Sequence, residues 1–183
     1  MDFVIEKKLF QILSDPLEIQ KRLCKENAET QAKIEEMGKL IKNFSEDNDV
    51  ESLAKLFKDN ERLIVFCLGY IEDSFISALY LKNLEVIEYY LENGVDITEG
   101  NLSDSVMELV KLSKFNLEEP PIELLACMLK HGGDPNCFEK TNFRTAVHIA
   151  ARQGNVQFVK VLEAFGGDID AVDKKKKTPL GYV

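Results

Sequence analysis

The sequence is poor in the residues that most often carry catalysis or bind metal ions. It has two histidines and four cysteines among 183 residues, and no two cysteines lie at the spacing of a metal site. Neither His131 nor His148 stands beside a nucleophile in a known catalytic motif. The glycine pairs at 132–133 and 166–167 follow predicted helices, so they are not phosphate-binding loops. These absences predict a protein with no catalytic residues, no metal and no cofactor.

Long apolar runs and excess positive charge are also missing. The longest apolar run covers about eight residues from Leu63, and a membrane-spanning helix needs about 20. The first residues lack a signal-peptide pattern, and the formal net charge is −9. Because nucleic-acid binding relies on a basic surface, we expect neither nucleic acid nor membrane as the main partner. We expect a cytoplasmic protein, with the nucleus as the alternative location, and reduced thiols at Cys24, Cys67, Cys127 and Cys137.

One stretch of the chain, from Thr145 to Leu180, has a repeating pattern. Thr145 and Thr178 are 33 residues apart, each followed by small or apolar residues, and both are suited to cap a helix. Pro179 stands in a first helical turn, where a proline loses no hydrogen bond. The pattern resembles the ankyrin repeat. The residues that carry the resemblance are Thr145, His148, Gly154, Gly166, Thr178 and Pro179.

The resemblance implies an all-α fold, namely an ankyrin-like helix-turn-helix solenoid of about four helix pairs with an N-terminal capping helical segment. An offset of 72 residues aligns Asp73 with Thr145, which predicts a second helix pair with Asp73 as its cap. A connection at 113–121, which contains two prolines, is an insertion. The expected repeats are 45–70 in degenerate form, 73–98, 101–136, 145–170 and an incomplete one at 178–183.

The residues before the repeats are expected to form amphipathic helices that cap the solenoid over residues 1–44. A coiled-coil helix is the alternative, but polar residues and a glycine at positions such as Gln31 and Gly38 interrupt the heptads. Asn48 and Glu51 resemble a capping box that would open the next helix.

The two hairpin turns of the pattern differ from the usual family sequence, because Phe143 and Lys176 stand where a glycine is usual. We therefore expect less regular hairpins. The second turn also carries the run 174–177 of four lysines. This run is a solvated turn, a contact for an acidic partner, or a nuclear-import or nucleic-acid patch.

Family resemblance implies a non-catalytic module or scaffold that binds a protein partner through hairpin tips and the concave helix face. The alternative is a regulatory or targeting segment of a larger, perhaps enzymatic, polypeptide, because the sequence opens a helix at Thr178 and stops at Val183. A homodimer through the open C-terminal repeat is a further possibility. The expected contact residues are Asn136, Glu139, Asn142, Arg144, Asp170, Asp173, Lys174 and Lys176.

Overall fold

The computed structural model describes residues 28–98, 100–115 and 120–183, which divide into two compact units. The first unit ends at Val95, and the second runs from Asp96 to Val183. Residues 1–27, including Cys24 and most of the expected cap, lie outside the described residues. The helices are α1 (Ala28–Glu46), α2 (Val50–Asp59), α3 (Glu61–Ile64), α4 (Leu68–Leu81), α5 (Leu84–Glu92), α6 (Ser105–Leu112), α7 (Ile122–Lys130), α8 (Ala146–Arg152) and α9 (Val156–Ala164).

Short 3-10 turns connect or follow these helices. The described residues contain no strand, only an isolated bridge between Phe138 and Thr145. The all-α class predicted from the sequence is therefore confirmed. The expected boundary between residues 44 and 45 stays a prediction. The 3-10 turns are Val65–Cys67, Gly100–Leu102, Ser113–Phe115 and Pro179–Tyr182.

In the first unit, α1 packs against α2 and α4. Ile34, Met37 and Ile41 are buried and recur at helical spacing, so they form one apolar face. A Cβ at Gly38 would come within 2.4 Å of the Tyr70 ring. Gly38, which interrupts the heptad pattern, thus lets the Tyr70 ring of α4 lie directly against the backbone of α1.

The cap of α2 is one residue later than the sequence suggests. Asp49 is the N-cap, and its side chain accepts a hydrogen bond of 3.0 Å from the backbone N–H of Ser52. Asn48 has a left-handed backbone with φ of 55°, whereas an N-cap residue typically has an extended one. The capping box predicted at Asn48 and Glu51 is therefore wrong.

The pair α4/α5 has the expected second helix but not the expected first one. Because α4 begins at Leu68, Asp73 lies inside the helix, and the prediction that it caps the helix is wrong. Lys82 makes the turn between the two helices in a left-handed conformation, with φ of 60°. The Asn83 side chain then donates to the carbonyl of Ser45 at 2.7 Å, which satisfies a carbonyl at the end of α1.

The second unit stacks two helix pairs, α6/α7 and α8/α9. The first helices, α6 and α8, contact each other, as do the second helices, α7 and α9. The final 3-10 turn packs against α8, in the place that the first helix of a further pair would take. The expected insertion at 113–121 begins with the turn Ser113–Phe115, while 116–119 lie outside the described residues. The core side chains of this stack include Leu109, Leu125, Ile149, Phe158 and Leu162.

Candidate functional site

Two hairpin turns, which we call the first finger (residues 137–144) and the second finger (residues 171–177), lie on either side of the α8/α9 pair in sequence. In the first finger the Glu139 N–H donates to the Arg144 carbonyl at 2.9 Å, and the Phe143 N–H donates to the Glu139 carbonyl at 2.8 Å. Asn142 adds a side-chain bond, because its Oδ1 accepts from the Arg144 N–H at 2.8 Å. Phe143 itself has φ of 57°. The first finger is thus a closed turn with a phenylalanine in a left-handed conformation.

The second finger closes in the same manner but is one residue shorter. The Asp173 N–H donates to the Lys177 carbonyl at 2.9 Å, and the Lys176 N–H donates to the Asp173 carbonyl at 2.8 Å. Lys176 has φ of 58°. Asp173 Oδ1 accepts from the backbone N–H of Lys175 at 2.8 Å and from that of Lys177 at 3.0 Å. A single carboxylate therefore fixes the shape of the loop that carries the lysines.

The carboxylate of Asp173 faces inward. The residue is only 5% exposed, and its Oδ2 accepts a hydrogen bond from the Tyr182 hydroxyl. Arg144 Nε lies 3.6 Å from the same oxygen, and Arg144 Nη2 donates to the Tyr182 hydroxyl at 3.0 Å. The bond from Tyr182, followed by the backbone N–H groups of Lys177 and Lys175 and the charge of Arg144, lowers the pKa of Asp173 to about 2. Asp173 and Arg144 thus join the two fingers and the final 3-10 turn.

His148 connects the start of α8 to the second finger. Thr145 is the N-cap, with its hydroxyl accepting from the His148 N–H and the His148 ring accepting from the Thr145 N–H, at 3.2 Å to Nδ1. Nε2 lies 3.0 Å from the Lys177 carbonyl. Since a carbonyl can only accept, Nε2 carries the proton and Nδ1 is the acceptor. His148 is fully buried, so it supports the fingers rather than meeting a ligand.

The two fingers also contact each other through their backbones. The Lys174 N–H donates to the Asn142 carbonyl at 2.8 Å. Near the base of the fingers, Asn136 Nδ2 donates to the Gly166 carbonyl at 3.0 Å, and Asn136 Oδ1 accepts from the Asp168 N–H at 2.8 Å. Asn136 therefore holds successive turns together.

These contacts separate the eight expected partner-binding residues into two groups. Asn136, Asn142, Arg144 and Asp173 are engaged in the hydrogen bonds that shape the fingers. These four side chains bond within the fingers or at their base, and the carboxylate of Asp173 is buried. Glu139 is half-buried and also bonds within the first finger, because its Oε2 accepts from Asn142 Nδ2 at 2.6 Å, while its Oε1 lies 3.8 Å from Lys111 Nζ. Asp170, Lys174 and Lys176 are exposed.

Sequence reasoning missed an aromatic pair on the first finger. Phe138 and Phe143 are 52% and 51% exposed, and their ring centroids lie 6.0 Å apart. A signal was available at Phe143, because it occupies a position where a glycine is usual. A residue that is both exposed and strained at that position points to a role for its side chain.

The remaining repeat residues lie in turns. Gly154 and Gly166 have φ of 73° and 92°, which is the left-handed region that glycine adopts without cost. Thr178 stands before the final 3-10 turn, but its side chain makes no capping bond there. Pro179 occupies the start of that turn and is buried.

An apolar groove of about 330 Å³ opens beside the final 3-10 turn, between α8, α9 and the residues after α9. Val156 and Leu180 at this groove are 61% and 78% exposed. Apolar surface of this kind is typical of an interface. The lining includes Val147, Val156, Val159, Ile169, Leu180 and Val183.

The described cysteines have the character of core residues. Cys67, Cys127 and Cys137 are all buried. Burial raises the pKa of the Cys67 thiol to about 11 and is the main cause that raises the pKa of Cys137 to about 12. Both thiols therefore stay protonated at neutral pH, which disfavours a nucleophilic role. The part of the chain that the structure describes contains no group of three metal-ligating side chains and no helix long and apolar enough to cross a membrane.

Comparison with known proteins finds the same repeat. Residues 142–174 match the family model described as Ankyrin repeat. The chain is 27% identical to ARF GTPase-activating protein Git of Drosophila melanogaster over 111 residues, which is 60% of this chain and 15% of the fly protein. A putative ankyrin repeat protein of Fowlpox virus is 28% identical over 49% of this chain and 13% of its own length.

A shorter relative is matched over most of its length. Cyclin-dependent kinase 4 inhibitor B of Bos taurus is 28% identical over 98 residues, which is 53% of this chain and 70% of the bovine protein. The matched region thus forms a small part of the fly and viral proteins and most of the bovine protein. The similarity concerns the repeat, and it occurs in proteins of different overall size.

Proposed function

We propose that this chain binds a protein partner through the two fingers of its second unit, because residues 142–174 match the ankyrin repeat and such repeats are protein–protein interaction modules. The binding is non-catalytic, and the partner lies across the finger tips and the adjoining first helices. The location included in this proposal is the cytoplasm, with the nucleus as the alternative. A fluorescent fusion of the full chain in its own cells would test that location.

The observation that carries this proposal is the internal bonding of the fingers. The Asp173 carboxylate, the His148 ring and the Asn142 side chain together fix the backbone of both turns. Loops held in one conformation lose little entropy when they bind, so a partner meets a preformed surface. Buried polar side chains thus hold two exposed loops in one conformation. This arrangement is expected of a binding surface, whereas a turn that only meets solvent does not need it.

Site-specific photocrosslinking would test the proposal. A photoreactive amino acid replaces Lys174 at the finger tip in the full chain, and in a second protein it replaces Lys55, which is exposed on α2 of the first unit. We expect a discrete protein adduct from position 174 and not from position 55 after irradiation in cells. Adducts only from position 55, or from neither position, would contradict binding through the fingers.

A second candidate is a regulatory or targeting segment of a larger polypeptide. It is favoured by the similarity to ARF GTPase-activating protein Git, which covers only 15% of that protein. In this case the fingers would bind a domain of the same polypeptide. Immunoblotting of the endogenous protein distinguishes the two candidates, because a mass well above 20.8 kDa supports the second.

The apolar groove beside the final 3-10 turn supports a separate proposal, a homodimer formed by two such grooves. Light scattering of the purified chain over a range of concentrations should then show a shift from monomer to dimer. Leu180→Lys places a charge on an apolar residue of this groove that is 78% exposed and should abolish the shift. A monomer at every concentration would exclude this dimer.

A further inference from the structure

The exposed side chains of the two fingers form what we call the two-finger patch: Phe138, Phe143, Lys174, Lys175 and Lys176. Its apolar half is the phenylalanine pair. Both rings are about half exposed, with centroids 6.0 Å apart. Since a left-handed conformation is costly for a residue with a bulky side chain, a glycine at position 143 would remove both the strain and the exposed ring. The chain has a phenylalanine at this position despite the strain, which points to a function for the exposed ring.

The basic half of the patch is not neutralised by its own finger. Lys174, Lys175 and Lys176 are exposed, whereas the one carboxylate of the second finger, Asp173, points inward. That carboxylate is already engaged by Tyr182, Arg144 and two backbone N–H groups. Three adjacent ammonium groups therefore face solvent on a chain whose net charge is −9.

The two halves are adjacent because the fingers touch. The Lys174 N–H donates to the Asn142 carbonyl at 2.8 Å, and Asn142 directly precedes Phe143. A ligand that reaches the lysines thus also reaches the phenylalanine pair. The surface combines apolar contact area with positive charge within two linked turns.

We propose that the two-finger patch binds an acidic segment of a partner protein that carries an aromatic or branched aliphatic side chain among its carboxylates. This inference rests on the proposed function and names the chemistry of the partner. The carboxylates pair with the lysines, and the apolar side chain packs on Phe138 and Phe143. Strong interfaces typically combine a few well-packed anchors, often aromatic, with a polar rim.

A protein segment suits this patch better than a nucleic acid or an anionic membrane. Both alternatives present an extended negative surface, and the net charge of −9 on the whole chain opposes its approach to such a surface. A short acidic segment can pair with the three lysines and brings far less negative charge to the chain. Its size and charge therefore match the patch.

Selection from a library of random peptides displayed on phage would test the proposal with the full chain as the target. We expect the selected peptides to be rich in Asp and Glu and to contain Phe, Leu, Ile or Trp. A selected peptide should bind more weakly as salt is raised, since salt screens exposed charges. Selected peptides that are neutral or basic would overturn the proposal.

Variants locate the binding on the patch. Lys174→Gln, Lys175→Gln and Lys176→Gln together should weaken the selected peptide by roughly tenfold, at a few tenths of a decade for each exposed pair. The matched control removes three exposed lysines elsewhere in the second unit: Lys114→Gln, Lys130→Gln and Lys160→Gln. This control changes the net charge equally, so equal weakening by both triple variants would overturn the assignment to the patch.

Phe143→Gly provides a test that loss of folding cannot imitate. Glycine adopts the backbone conformation of this position without strain, so the thermal stability of the variant should be unchanged or higher. Its affinity for the selected peptide should nevertheless fall several-fold. Unchanged affinity would overturn the role of the phenylalanine pair.

Two further probes cover the alternatives. Single-stranded oligothymidine and vesicles that contain phosphatidylserine should bind the full chain more weakly than the peptide does. Binding of either probe that exceeds peptide binding and is lost in the Lys174–Lys176 triple variant would overturn the proposal. Photocrosslinking at Lys174 in cells distinguishes failure of the proposed function from failure of the proposed partner chemistry. A protein adduct from position 174, when the selected peptides are not acidic, would support the proposed function and contradict only the partner chemistry.

Discussion

The helix pairs α4/α5 and α8/α9 have matching second helices but different first helices. Leu84–Glu92 and Val156–Ala164 have equal length and lie 72 residues apart. The first helices differ, because α4 covers 14 residues without a side-chain cap and α8 covers 7 residues behind a capping box. A finger is possible only where the first helix begins late. At the 72-residue offset, the first finger corresponds to residues 65–72, which form the 3-10 turn Val65–Cys67 and the start of α4.

The difference follows from a few side chains. Asp73 and Ile76 stand where α8 has Thr145 and His148, and isoleucine cannot complete a capping box or bond to a carbonyl. Ile71, in the turn before Asp73, is buried and extends the apolar row of α4 toward its N-terminus. Burial of that row and the lack of a histidine together favour continuation of the helix. The comparison indicates that the capping box at Thr145 and the extent of the apolar row together determine where a finger forms.

The largest expected effect on stability comes from the packed core, which both helix pairs have. Leu162→Ala in α9 and Leu79→Ala in α4 each remove a fully buried side chain. Each should lower the free energy of unfolding by about 2 to 5 kcal/mol, since a cavity remains. Chemical denaturation followed by circular dichroism measures this change. A loss below about 0.5 kcal/mol for Leu162→Ala, the range of a surface substitution, would show that the assigned buried face of α9 is not buried.

The next effect belongs to α8 alone. His148→Ala leaves the Thr145 N–H without its side-chain partner and removes one of the two bonds to the Lys177 carbonyl, which still accepts from the Asp173 N–H. The variant should cost about 1 to 3 kcal/mol. Thr145→Ala should cost about 1 kcal/mol through the lost cap. Because the two side chains act as one unit, the double variant should cost less than the sum. Strict additivity in the denaturation experiment would mean that the capping box is not a coupled structure.

Asp173 of the second finger should make a distinct contribution to the pH dependence of stability. The pKa of Asp173 is lowered from 3.8 to about 2, so the folded state favours its ionised form. The resulting stabilisation is complete above pH 4 and is lost as the pH falls toward 2. Asp173→Asn removes this contribution, so the variant should show a shallower fall in melting temperature over that interval. Parallel curves for both proteins would contradict the bonding of Asp173 described above.

The smallest effects concern the turns between the paired helices. Gly154 and Lys82 occupy equivalent positions with φ of 73° and 60°, and an added Cβ at Gly154 meets nothing within 4 Å. Gly154→Ala should therefore destabilise by about 1 kcal/mol through backbone strain alone. Lys82→Gly should stabilise by about 0.5 kcal/mol, since relief of strain exceeds the added flexibility of the unfolded chain. Effects of the same sign for both variants would contradict the equivalence of the turns.

The pattern of the sequence predicted what depends on neighbours along the chain. The helical class, the second helices and the cap at Thr145 follow from local spacing and from residue types at helix ends. The start of α4 was predicted wrongly, because an aspartate in a suitable position does not show whether the preceding residues continue the helix. The cap predicted at Asn48 is wrong for a similar reason, since Asn and Asp are both good caps and only the backbone conformation separates Asn48 from Asp49.

The shape of the candidate site was harder to predict than the fold. The partners of Asp173 include Arg144, which lies 29 residues earlier, and Tyr182, which lies 9 residues later. No local pattern links these positions, so Asp173 and Arg144 could only be read as exposed charges at hairpin tips. The left-handed conformations of Phe143 and Lys176, by contrast, could have been inferred from the glycine that each replaces.

The carboxylate of Asp173 makes the amide protons of Lys175 and Lys177 natural reporters for spectroscopy. Both amides donate to one oxygen, so they are protected from hydrogen exchange by the same group and become exposed to exchange together when that group moves. In a nuclear magnetic resonance spectrum they would respond to the same event, whether a ligand arrives at the lysines or the Tyr182 hydroxyl departs. The state of the second finger could thus be followed in solution, residue by residue, before any ligand is known.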